Sequence, residues 1–386
     1  MTASEHVCIV TSAHPYDDVR VSSRVAKALV DHGYRVTWVG PDFSHFEADA
    51  RRLQGVEYRL FPSSRSRIGR LTAARKAKRL AREVEGVDWW YSPDPDAAPV
   101  IARLARSLGG QTLFDVHESY HGGLLDRWFP GTPPAFVRDL LRRRISRTCR
   151  RMDLVVGVSG AVLAPYTTPG DETLVVRNCA PAWFATEDTG TAESTEGRTS
   201  VMHGKMAAGN GSSRVLEAAE LLPEGVADKI LIHALETVGA HDDQFMAAMR
   251  ARVEALPYGT VALRPSVGHE EMARLMSECS IGLISYQRDL GHESLPNRLF
   301  EYMAAGLAVL APSYSPEIVA ILDSEQIGMH VDFEDPRAIA EALEWMAEHP
   351  DEVATMGKRA RAAFETTYNW DAEAANLINK MRSMTA

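Results

Sequence analysis

Short apolar runs alternate with amphipathic stretches along the whole chain. Runs at 6–13, 34–39, 56–61, 87–91, 111–116, 154–158 and 174–176 read as short strands, and helical segments separate most of them. Between the first two, Val21, Val25, Leu29 and Val30 recur at helical spacing, and Gly33 closes that helix. This is the pattern of an open, doubly wound parallel sheet, whose ligands bind at the carboxyl ends of its strands. The stretch 186–198 is polar and has no hydrophobic period, so it reads as a linker. The alternation then restarts, with strands at 200–203, 229–234, 261–264, 281–285, 307–312 and 327–331. Helices are predicted at 213–222, 336–348, 351–367 and 370–381. The pattern predicts an α/β protein with domains over 1–185 and 199–368, followed by a last helical segment over 369–386.

The stretch 293–306 lies between two strand-like runs, the sequence image of a βαβ crossover. Pro296 suits the first helical position, Gly306 the C-terminal cap, and Leu299, Phe300, Met303 and Ala304 form the buried face. Arg298 would then sit in the first turn, where a cation opposes the helix dipole unless an anion docks there. The plainer reading is a surface pair with Glu301, worth about 0.2–0.5 kcal/mol. Glu293, just before the helix and eight positions before Glu301, weighs against the plain pair.

Glu293 and Glu301, the Pro-Asn-Arg-Leu-Phe between them and the Tyr-Met-Ala-Ala-Gly that follows resemble the retaining nucleotide-sugar glycosyltransferases of the GT-B fold, glycosyltransferase family 4. The resemblance implies two doubly wound Rossmann-like domains facing across a cleft, with the last helix crossing back to the N-terminal domain. It implies that Glu293 holds donor-sugar hydroxyls, that the backbone of Ser294, Leu295, Pro296 and Asn297 lies near sugar and diphosphate, and that Glu301 takes the ribose diol. The glycine-rich turn 204–211 matches the family's diphosphate turn. There Gly204 and Lys205 stand for its Gly-Arg, whereas Asn210 stands where the family carries Lys. Arg298 is the candidate for the missing cation. Arg264 and Val267 fall in the loop whose backbone reads the base in relatives, and His117 matches the histidine that approaches the donor sugar, with Glu118 in the same cleft. The His-Pro-x-Asp-Asp-Val-Arg start resembles one subgroup and puts His14, Asp17 and Asp18 on the acceptor side. Asp18 is equally readable as a plain helix N-cap.

The reaction so implied moves a hexose-like sugar from a nucleoside diphosphate to an acceptor with retention, the departing phosphate taking the acceptor proton. Lys205, Arg298 and helix N-termini would stabilise the leaving group, with no metal and no cofactor beyond the donor. Asp94-Pro95-Asp96 spells the metal-binding Asp-x-Asp of the other large glycosyltransferase fold, but Pro93, Pro95 and the helix after them predict a strand-to-helix turn with an Asp cap. A nucleotide-sugar 2-epimerase, a trehalose-phosphate-type synthase and a catalytically silent sugar-nucleotide-binding subunit share the fold. A NAD-dependent enzyme lacks its glycine fingerprint after the first strand.

Composition changes little: 45% hydrophobic and 24% charged residues describe a soluble globular chain. Four scattered cysteines lack metal-type spacing, and no leader or membrane-length apolar run is present, which makes the cytoplasm the default location. Charge is uneven. Residues 1–185 hold 26 Lys and Arg against 20 Asp and Glu, and the remainder 16 against 32. The basic positions gather at 65–82 and 138–151, which read as helices with Leu71, Leu80, Leu140, Leu141 and Ile145 on an inner face. Solvated helix faces account for both, and apposition to a membrane is the other reading. Nucleic acid is not a partner suggested by so mild a basic excess. A small soluble acceptor is the simpler expectation, a lipid-linked one the alternative if the basic helices meet a membrane, and self-association is left open.

Overall fold

The computed structural model describes residues 4–43, 52–63, 67–117, 120, 134–185, 198–237, 243–292 and 294–385. Glu118, Glu293 and linker residues 186–197 lie outside the described residues, as do the side chains of 67–71. The chain divides into two compact units, Met1–Arg177 with Glu373–Ala386, and Asn178–Ala372.

The first unit is built on seven parallel strands: β1 (His6–Val10), β2 (Arg35–Asp42), β3 (Val56–Pro62), β4 (Trp89–Ser92), β5 (Gln111–Val116), β6 (Leu154–Gly157) and β7 (Thr173–Val175). Their order is β3-β2-β1-β4-β5-β6-β7. The chain winds outward from β1 to β3, then returns to β4 on the other side, so the strand order reverses between β1 and β4. In open parallel α/β sheets, the ligand crevice lies at such a reversal. The second unit repeats the plan with β8 (Thr199–Lys205), β9 (Ile230–Leu235), β10 (Val261–Arg264), β11 (Ile281–Leu283), β12 (Ala308–Pro312) and β13 (Gly328–Val331). Their order is β10-β9-β8-β11-β12-β13, all parallel, with the reversal between β8 and β11.

Helix Asn297–Ala305 joins β11 to β12 and buries Leu299, Phe300, Met303 and Ala304 completely. Its Tyr302 hydroxyl lies 3.0 Å from the Met202 carbonyl and 3.1 Å from that of Leu283, pinning the helix across β8 and β11. Gly306 ends it in the left-handed region at φ 73°. Pro296 is its cap residue rather than its first helical one. Fixed by its ring near φ −77°, Pro296 extends with ψ 145° and leaves Asn297 to open the helix.

The segment 19–31 is helical but not α-helical throughout. Val19–Ala26 is wound as π-helix before Lys27–Asp31 continues as α-helix. The Asp18 carbonyl accepts from both Ser22 and Ser23 at 3.0 Å, which widens the first turn. Of the predicted inner face of the basic helix Ala135–Cys149, Ile145 is buried and Leu141 packs on the core, but Leu140 is 63% exposed. No helix among the described residues is long and apolar enough to cross a membrane. The final helix, Trp370–Thr385, starts in the second unit and contributes its residues from Glu373 onward to the first.

Candidate functional site

At the carboxyl ends of β1, β4 and β5, the first unit gathers buried polar groups around the strand-order reversal. Asp94, just after β4, is buried, and its Oδ2 accepts from Thr11 Oγ1 at 2.5 Å and from the Ser12 amide at 2.7 Å. Its Oδ1 lies 2.9 Å from His14 Nδ1. On the far side of that ring, His14 Nε2 is 3.2 Å from His117 Nε2. His117 Nδ1 faces the Asp115 carbonyl at 3.3 Å. The protons follow from the partners. Each Nδ1 faces an oxygen and must carry a hydrogen, and one more proton must lie between the two Nε2 atoms, whose lone pairs would otherwise collide. The two rings together therefore hold one positive charge. Burial alone would lower the His14 pKa, but the Asp94 carboxylate outweighs it and raises the value to about 9. Asp94 is correspondingly driven down to about 2, against the pull of its own burial, by His14 and its hydroxyl and amide donors.

These contacts revise the reading of Asp94-Pro95-Asp96. Asp94 has its oxygens committed to three donors, and Asp96 Oδ1 accepts from Ser12 Oγ at 2.6 Å. Burial and the neighbouring Asp94 charge push the Asp96 carboxyl up to about 6. Neither acid caps the following helix, whose cap is Ala97 with no side-chain bond. The pair is an internal tie, and no group of three metal-type ligands occurs among the described residues.

Asp18 caps the π-helical turn, accepting from the Val21 amide at 2.7 Å, and Asp17 is half-buried in the same loop. The sequence reading missed Arg20, which is buried and grips Asp115 with Nε at 2.9 Å and a terminal nitrogen at 2.7 Å. Tyr91 donates to the same carboxylate at 2.7 Å. Arg20 thereby fixes the strand end that carries His117. A charged residue set between Val19 and Val21 in an apolar helical pattern was the available signal.

In the second unit, Gly204, Lys205 and Arg298 come together at the end of β8. Gly204 has φ +80°, and a Cβ there would stand 3.1 Å from the Arg298 guanidinium carbon. Arg298 lies against the glycine turn and donates to the His203 carbonyl at 2.9 Å. Burial would lower its pKa, but the Tyr302 and Tyr286 hydroxyls and Glu301 more than offset this, so the cation is retained. Lys205 is exposed on the turn. Ser294 is half-buried, Leu295 and Pro296 are buried, and Asn297 is exposed at the helix start, where first-turn amides lack intrahelical partners. Glu301 is half-buried one turn along that helix. Arg264 and Val267, at and just after the end of β10, are half-buried, and the Arg264 carbonyl is taken by the Glu236 amide at 2.8 Å. His203, Ser212 and Ser285, buried beneath the turn, were not foreseen. A histidine ending an apolar strand just before a glycine-rich turn was their one visible sign.

Comparison with known proteins gives the same picture for each unit. The sequence model described as Glycosyltransferase Family 4 matches residues 19–176, and the one described as Glycosyl transferase-like matches residues 214–379. No curated protein matches the sequence. Among solved structures, sucrose-phosphate synthase from Thermosynechococcus elongatus superposes with a TM-score of 0.77 at 15% identity over 99% of both chains. HepE of Anabaena in complex with UDP gives 0.73 at 12% identity, covering 98% of this chain and 100% of that one. A glycosyltransferase from Rickettsia africae gives 0.74 at 14%, covering 100% of this chain and 99% of that one. With one glycosyltransferase sequence model on each unit, and doubly wound sheets in both, this chain belongs to the GT-B glycosyltransferases of the family 4 type.

Proposed function

We propose that the protein transfers a hexose-like sugar from a nucleoside-diphosphate donor to a small-molecule acceptor, with retention of configuration and without a metal ion. The observation that carries this is the Arg298 guanidinium laid against the Gly204 turn beside a helix N-terminus, a cationic, amide-rich seat for a departing diphosphate. Lys205 supplies a second charge. Glu301 takes the ribose diol and Glu293 the sugar hydroxyls. Arg264 and Val267 flank the base, and the backbone from Ser294 to Asn297 lies along the sugar and phosphates. UDP is the first donor nucleotide to try, since HepE of Anabaena has been crystallised with UDP and with UDP-glucose.

His117 is the first unit's group for the sugar, and His14, Asp17, Asp18 and, by its place in the sequence, Glu118 are assigned to the acceptor. A lipid-linked acceptor at a membrane surface is the second reading, favoured by Phe136 and Leu140, 71% and 63% exposed on the arginine-rich helix Ala135–Cys149. The test is a thermal-shift screen against UDP, GDP, ADP and dTDP sugars, followed by turnover assays with and without acceptor and with chelator. Stabilisation by one donor and acceptor-dependent release of its diphosphate support the transferase. Turnover without acceptor indicates an epimerase, no turnover a silent binding subunit, and loss of activity with chelator overturns metal independence.

A further inference from the structure

Resting on the reading of the second unit as the donor-binding half, we propose that His203, acting through Ser212 and Ser285, is a positioning residue that sets the 204–211 turn to receive the donor's diphosphate.

The three side chains are each no more than 1% exposed. Ser212 Oγ accepts from the Ala207 amide at 3.0 Å, so its own proton goes to His203 Nε2, 2.8 Å away. Ser285 donates to the Asn210 carbonyl at 2.5 Å, so its oxygen is left to accept from His203 Nδ1 at 3.3 Å. Only the neutral ring with its hydrogen on Nδ1 satisfies both neighbours. An added proton on Nε2 would leave the Ser212 hydroxyl without its acceptor. Burial, reinforced by the Arg298 charge, pushes the His203 pKa down to about 3, so the same form persists at any working pH.

What this ring of bonds accomplishes is visible in the carbonyls. A turn that receives phosphate has to keep its C=O groups from facing the anion. Arg298 takes the His203 carbonyl at 2.9 Å, and the Asn210 side-chain amide takes that of Lys205 at 3.0 Å. Thr237 takes Met206, and the backbone amides of Asn210, Gly211 and Gln287 take Ala207, Ala208 and Gly209. Ser285 closes the series at Asn210. Every carbonyl from Lys205 to Asn210 thus has a donor within the chain. Asn210 is therefore a strut of the turn, and not simply the place where a cation is missing. Gly211 completes the fit: it has φ +65°, and any Cβ would collide with the Ser285 carbonyl oxygen. His203 couples the two ends, since Ser212 and Ser285 reach the turn at Ala207 and Asn210.

The experiment compares UDP and UMP binding by calorimetry, with thermal unfolding alongside, for wild type, Ser285→Ala, His203→Phe and His203→Gln. UDP should bind roughly three- to tenfold more weakly to Ser285→Ala and His203→Phe, as expected for a lost neutral hydrogen bond. UMP should change less, so the preference for the second phosphate falls, and His203→Gln, which keeps an acceptor for Ser212, should recover part of it. A lower Tm with an unchanged UDP-to-UMP ratio means packing alone and overturns the proposal, as does an unchanged ratio at unchanged Tm. If His203→Phe does not fold, Ser285→Ala decides. Failure of the wild type to bind UDP, GDP, ADP or dTDP instead overturns the donor reading itself, and this inference with it.

Discussion

His14 and His117 face each other through their Nε2 atoms at 3.2 Å, a separation that calls for one proton between two nitrogen lone pairs. Asp94 holds the other side of His14 and the Asp115 carbonyl the other side of His117, so the charge of the pair is trapped. His117 thus has both ring nitrogens occupied, and a sugar hydroxyl would have to compete with His14 for it.

The stability of this cluster should depend on pH in a defined direction. The folded-state pKa of His14 is raised from 6.5 to about 9. Its contribution is therefore full below the unfolded value and is lost as pH rises through about 9. His14→Ala leaves Asp94 buried without its cation and should cost about 3–5 kcal/mol near neutrality. Denaturation of both proteins across alkaline pH checks this: the gap should close as pH rises, and a constant gap refutes the shared proton.

On the proposed reading, Arg298→Ala would remove a preorganised donor from the leaving diphosphate, and its effect should fall mainly on turnover, by a factor of roughly 10²–10³. Gly204→Ala should act in the same direction, because its methyl meets the guanidinium at 3.1 Å on a backbone at φ +80°. Steady-state kinetics on folded variants decides, and wild-type kcat in both would place the essential cation elsewhere.

Glu301→Gln should weaken bare UDP by about 1.5–3 kcal/mol, the range for a hydrogen bond to a charged group. Glu293→Gln should leave bare UDP binding intact and damage turnover instead. Calorimetry with UDP separates the two, and equal losses would mean that the roles have been divided wrongly.

His233, in the middle of β9, is 2% exposed, and neither ring nitrogen has a partner among the described residues. Burial first, then Arg264 and Arg198, push its pKa down to about 4. A depressed histidine makes folding less favourable as pH falls below its unfolded value of 6.5. His233→Leu should therefore stabilise the protein by about 1 kcal/mol at neutrality, with a larger gain toward pH 5. Urea titrations at both pH values test it, and a destabilised variant would reveal a role for the ring.

The doubly wound sheets were legible because buried parallel strands leave unbroken apolar runs, and because Gly33 and Gly306 mark helix ends by backbone geometry alone. The helix at 297–305 was legible down to its buried face. What escaped were contacts that depend on distant strands lying side by side. Arg20 meets Asp115 only because β1 and β5 flank β4, and Asp94 meets Thr11 across 83 positions. Local spacing carries no trace of such pairs. Asn210 was legible only in part for a related reason: the family pattern shows the charge that is absent there, and not that the amide present holds the Lys205 carbonyl.

The division of the chain bears on how the protein is made. Glu373 ties to the Arg177 amide at 3.0 Å and its side chain at 2.9 Å, and Gln111 donates to the Met384 carbonyl at 2.7 Å. Leu377, Ile378 and Met381 are buried, and this part of the helix belongs to the unit whose sheet was translated first. On the ribosome, that sheet must wait with its seat for this helix uncovered while some two hundred residues of the other unit emerge. The contiguous second unit needs only the start of the helix and can close sooner. A nascent chain halted before residue 373 should thus present a finished second unit and an unfinished first one, the state in which a chaperone would find it.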